Sequence, residues 1–152
     1  MNGAHFHILI NHFPIVCTVI STLMLLLAIV AKNEGLKRVA YSLFILAAIL
    51  MLPTNYSGEQ AEEIVEEING IDHNVIEHHE EAAGFAFWTS IILGVLSLIS
   101  FIVSIKKNNI KGVLSLLVFG CAILCTYFMW DTGLSGGKIR HPEILFKNEV
   151  QE

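Results

Sequence analysis

The chain has 152 residues, 54% of them hydrophobic and 15% charged, with a net charge of −5. A mean hydropathy of +0.63 sets it apart from soluble globular domains and places it among membrane proteins. The acidic balance and the lack of a basic patch exclude nucleic acid as a partner, and three cysteines without a C-x-x-C-H motif exclude covalent haem attachment.

A spanning helix needs about 20 mainly apolar residues. Four stretches meet or approach that length, at about 8–31, 37–53, 82–105 and 112–130. They predict an all-α membrane protein, a four-transmembrane-helix up-down bundle in a single domain over 1–152, with an outer loop at 54–81 and an outer tail at 131–152. The second span is short, and the stems of Lys37 and Arg38 extend it by snorkelling. The first apolar run is too long for a signal peptide and lacks its flanks, so it is expected to stay attached. Pro14 suits a first helical turn, which sets the start of the first regular span near Phe13 or else a kink at Pro14.

The two connections KNEGLKR and KKNNIK carry Lys32, Lys37, Arg38, Lys106, Lys107 and Lys111 against the single acid Glu34. The positive-inside rule makes that side cytoplasmic and puts both termini outside. All seven histidines, and thirteen of the fourteen acids, then fall at the outer end. The membrane itself does not demand this segregation, because Ser, Asn or Gln would solvate a loop equally well.

Three stretches concentrate the signal. In HFHILINHFPIV, Asn11 and His12 stand in an apolar context where a polar group needs a partner. In SGEQAEEIVEEI, Ser57 and Gln60 fit a capping box, and Glu59, Glu62, Glu63, Glu66 and Glu67 form an acidic stripe on a short amphipathic helix that caps the outer face. Such stacked carboxylates repel one another, and a bound cation would relieve them, although acids also suit a first helical turn. In IEHHEEAAGFAFW, His79 shares a side with Ile76, Ala83 and Ala86, beside Glu80, whereas His78 and Glu81 face solvent. After the fourth span, Gly133, Gly136 and Gly137 permit a tight return that carries Arg140, His141 and Glu143 over the bundle mouth. Ile139, Ile144, Leu145 and Phe146 make that tail apolar enough to dock.

HFHILINHFPIV, SGEQAEE, HHEEA and GGKIRHPE, in this order and among four spans, resemble a bacterial family of predicted membrane proteins of unknown function. The resemblance covers nearly the whole chain and implies a cytoplasmic (inner) membrane location with periplasmic termini. It points to His7, His12, His79 and His141, together with Glu59, Glu62, Glu63, Glu80 and Glu143.

Imidazoles beside carboxylates suit Zn, Fe, Mn or Cu, and helical bundles support such centres. The leading expectation is a mono- or dinuclear metal centre with these nine residues as ligands and Asn11, Asp131 and Arg140 orienting them or balancing charge. The alternative is haem b held by two histidines, His12 and His79, with Arg140 near the propionates. A third class is a non-catalytic or proton-handling subunit of a respiratory or electron-transfer complex. The middle and inner parts of the spans hold no charged residue to continue a proton path, which argues against transport. Cys17, Cys121 and Cys125 read as small buried hydrophobes. No nucleophile elbow, phosphate loop or internal repeat stands out.

Overall fold

The computed structural model describes residues 3–66, 73–106 and 110–140. Five helices appear in chain order: α1 (Gly3–Ile10), α2 (His12–Val30), α3 (Glu34–Glu66), α4 (His73–Ile105) and α5 (Lys111–Arg140). Four segments are long and apolar enough to cross a membrane: His5–Val30, Glu34–Val65, His73–Ile105 and Lys111–Ile139. Around the bundle α2 packs on α3, α3 on α4, α4 on α5 and α5 on α2, and α1 rests mainly on α3. The chain is thus a four-helix membrane bundle, with Leu27, Val30, Ile105, Leu116 and Leu117 turned outward as a lipid-facing surface requires.

The first crossing is broken at Asn11, between α1 and α2. Pro14, inside the first turn of α2, cannot donate to the carbonyl of Ile10, and its ring crowds that carbonyl, so a continuous helical ladder fails there. The entry segment is itself helical, and the amide of Asn11 still reaches His7 O at 3.0 Å.

The connection from α2 to α3 is a Schellman turn. Lys32 N donates to Ile29 O at 3.2 Å and Asn33 N to Ala28 O at 2.9 Å, with Lys32 in the left-handed region at φ 51°. Asn33 Oδ1 then accepts the Leu36 amide at 3.0 Å and caps α3. This lysine-rich end closes on further polar contacts. Arg38 Nη2 and Lys111 Nζ both donate to Ser104 O, each at 2.9 Å, in the last turn of α4. Midway along the bundle a Cβ on Gly94 would lie 2.5 Å from Ala48 Cβ, so α3 and α4 touch through a glycine that no larger residue can replace without moving them.

Two expected boundaries shift. The acidic stretch is not a separate cap: α3 runs through Pro53 to Glu66, 33 residues or about 50 Å, well beyond a hydrocarbon core of roughly 30 Å. Likewise α5 continues through Gly133, Gly136 and Gly137 to Arg140, so no return occurs within the described residues. His141, Glu143, Glu67 and the apolar residues Ile144, Leu145 and Phe146 lie outside the described residues.

Burial exposes a repeat that the sequence hides. The buried positions of α2, Pro14, Thr18, Ser21, Leu25 and Ala28, correspond at a constant offset to Ala86, Ser90, Leu93, Ser97 and Ser100 of α4, all buried. In the same way Ala40, Phe44, Ala47, Met51 and Ser57 of α3 correspond at a second constant offset to Val118, Ala122, Cys125, Met129 and Ser135 of α5. Side-chain identity differs at most of these pairs, while the inward-facing register is the same. The bundle is two alike helical pairs, α1/α2 with α3 and α4 with α5.

Candidate functional site

At the histidine end each half of the repeat carries the five-residue pattern T-x-x-S-G: TNYSG at 54–58 on α3 and TGLSG at 132–136 on α5. Each pattern receives one imidazole from its partner helix. His7 Nδ1 lies 3.1 Å from Thr54 O and 3.2 Å from Ser57 Oγ. His79 Nδ1 lies 3.1 Å from Thr132 O and 3.0 Å from Ser135 Oγ. Both glycines provide the floor for the ring: a Cβ on Gly58 would stand 3.2 Å from His7 Cε1, and one on Gly136 would stand 3.0 Å from His79 Cε1. In both halves the threonine hydroxyl bonds back one turn at 2.8 Å, to Leu50 O and Phe128 O, and leaves the clamp to the carbonyl and the serine.

The chemistry of the contact fixes the roles. A carbonyl oxygen only accepts, so Nδ1 must be the protonated nitrogen of each neutral ring. Ser57 Oγ donates to Thr54 O at 2.9 Å, and Ser135 Oγ shares its proton between Asp131 O at 3.0 Å and Thr132 O at 3.1 Å, so each oxygen is left to accept from the imidazole. Nε2 keeps its lone pair. Among the described residues neither Nε2 has a hydrogen-bond partner. The two rings are within electrostatic range of each other, so a charge on His7 is felt at His79. Tyr56, Trp88, Tyr127 and Trp130 are all exposed, as residues of an interfacial belt are.

The other expected site residues are dispersed. His12 is exposed, with Nδ1 3.3 Å from Ile8 O of its own turn. The T-x-x-S-G patterns thus hold His7 and His79, whereas His12 meets only the carbonyl of its own turn. Glu63 and Glu80 are exposed, Glu62 is half-buried, and exposed Glu59 accepts Asn55 Nδ2 at 2.9 Å. Asn11 Oδ1 is buried without a partner among the described residues. Asp131 is half-buried and, with His78, Glu81, Phe85, Tyr127 and Phe128, lines an open cavity of about 150 Å³ against α4 and α5, which neither His7 nor His79 lines. Arg140 ends α5. Among the described residues no three His, Cys, Asp or Glu side chains gather as a metal-binding group.

Reading the sequence for charge and histidine passes over Thr54, Thr132 and Ser135, and it gives Ser57 a capping-box role at a helix start, whereas Ser57 lies inside α3. The recurrence of T-x-x-S-G would have flagged them, but two short matches 78 positions apart carry little weight before each is seen to hold an imidazole. No family model matches this chain, and no curated protein or solved structure matches it either.

Proposed function

We propose that this is a multi-pass protein of a bacterial cytoplasmic membrane, with both termini on the periplasmic side, that binds a haem b between His7 and His79 and carries electrons there. The observation that supports this reading is the matched pair of imidazoles, each tied at Nδ1 to a main-chain carbonyl, with Nε2 unpartnered among the described residues. Histidine ligands to metals characteristically donate their second ring nitrogen in this way. Donor count then selects the group. Two imidazoles supply both axial positions of a haem iron, whereas an ion held by protein alone takes about four donors. When bound, the haem would supply a one-electron redox couple. Held by His7 and His79, it would favour electron transfer over chemistry on a bound substrate, and a soluble or membrane electron-transfer partner would meet the chain at its periplasmic face.

A second reading rests on the acids. Glu59, Glu62, Glu63 and Glu80 share the histidine end, with His141 and Glu143 outside the described residues, and carboxylates favour a bare Zn, Fe, Mn or Cu ion over haem propionates. One experiment separates the two. The protein is purified in detergent from haem-replete cells, and its absorption spectrum and metal content are measured on the same sample. Haem gives a Soret band with sharpened visible bands on reduction; it is lost in His7→Ala and in His79→Ala and kept in His12→Ala. Stoichiometric metal without a Soret band supports the bare ion. Retention of the Soret band in both His7→Ala and His79→Ala overturns the haem assignment.

A further inference from the structure

The two clamps match in more than sequence. Each brings the same three contacts to one ring, in helical pairs whose buried faces repeat at constant offsets. A structural staple would not require this. Thr54 O and Thr132 O lie within α3 and α5, where the helical ladder already gives each carbonyl a donor, so neither needs the imidazole. What the contacts accomplish is done to the ring: they select its tautomer, fix its rotation and leave the Nε2 lone pair uncommitted among the described residues.

We infer that Ser57 and Ser135 are equivalent positioning residues of a duplicated ligand holder, which fixes His7 and His79 as Nδ1–H tautomers and presents Nε2 from each half to one shared metal centre. This deepens the haem reading and rests on it for the identity of the metal, while the tautomer belongs to the protein alone. The Nδ1–H donor pushes electron density toward Nε2, so weakening it makes each imidazole a poorer donor to iron and raises the reduction potential.

The test has two arms on the full chain. In the first, the metal-free protein is labelled with ¹⁵N-histidine and the ring nitrogens are read by NMR at a pH where imidazole is neutral. His7 and His79 are expected as Nδ1–H tautomers; Ser57→Ala shifts only the His7 populations, and Ser135→Ala only those of His79. In the second, the haem-loaded protein is titrated potentiometrically. Ser57→Ala and Ser135→Ala are expected to raise the midpoint potential by similar amounts, Ser→Thr at either position restores it, and Ser90→Ala leaves it unchanged. Nε2–H tautomers at either histidine, or a potential that moves for one serine and not the other, overturn the inference. Nδ1–H tautomers in a protein that binds no haem sustain the clamp and sink the haem reading, so the two failures are distinguishable.

Discussion

The lysine end and the histidine end of the bundle use the same kind of bond in opposite directions. At the lysine end, Arg38 and Lys111 donate to Ser104 O in the last turn of α4, where a carbonyl has no partner of its own in the helix. There the side chain serves the backbone. At the histidine end the acceptors are Thr54 O and Thr132 O, inside α3 and α5, which have no such deficit. There the backbone serves the side chain. The first pattern closes a helix; the second orients an imidazole, as the proposed function at that end requires.

The largest perturbation erases the difference between the ends. Gly94→Ala puts a methyl 2.5 Å from Ala48 Cβ, and because neither atom has a torsion to yield, α3 and α4 must separate. The expected cost is about 1–3 kcal/mol, the range for overpacking a close contact. A lowered unfolding temperature in detergent, accompanied by loss of the proposed haem, would show it. An unchanged unfolding temperature would mean that α3 and α4 yield at Gly94 without cost.

Gly136→Ala divides the two ends. Its Cβ would stand 3.0 Å from His79 Cε1, so the ring must give by a few tenths of an ångström, which strains its bonds to Thr132 and Ser135. Haem affinity is expected to fall about tenfold, the ~1.4 kcal/mol of a strained ligand bond. Helix stability should rise at the same time by up to about 1 kcal/mol, because alanine replaces glycine within α5. Gly58→Ala, at 3.2 Å from His7 Cε1, should act in the same direction and less strongly. Haem titration and thermal unfolding of the same variants check both signs.

The extent to which the sequence reveals this depends on the physics involved. Hydrophobic length and lysine asymmetry are additive properties of a segment, so four crossings and a distinct histidine end can be read without coordinates. Helix ends are harder. The composition of GEQAEEIVEE signals an amphipathic helix but not its fusion with the span, because Pro53 reads as a stop and α3 passes through it. The imidazole pairing is harder still. His12 looks costlier than His7 in an apolar run, yet the break at Asn11 leaves His12 exposed and sets His7 against α3. A choice between residues five positions apart depends on a break angle, which no periodicity encodes.

A smaller effect belongs to the lysine end alone. Arg38→Met keeps the apolar stem and removes the donors to Ser104 Oγ at 3.1 Å and to Ser104 O at 2.9 Å. Lys111 still reaches that carbonyl, so the loss should be limited to about 1 kcal/mol, typical of a cation at a helix C-terminus. The unfolding temperature is expected to drop a little while the haem spectrum and midpoint potential stay as they were. A changed potential would mean that the ends are coupled through α3.

The smallest effect is the matching control for Gly136. Gly112 is the second residue of α5, at the lysine end, and a Cβ there meets nothing within 4 Å. Gly112→Ala therefore adds helix propensity without a clash, and near a helix end this is worth about 0.5 kcal/mol or less of stabilisation. It shares a helix with Gly136→Ala and makes the same chemical change, so general effects of removing a glycine from α5 should appear in both variants. Only displacement of His79 separates them. If the spectrum and haem affinity of Gly112→Ala stay at wild-type values while those of Gly136→Ala fall, the loss comes from the ring contact; if both fall alike, α5 as a whole governs the site and the clamp does not.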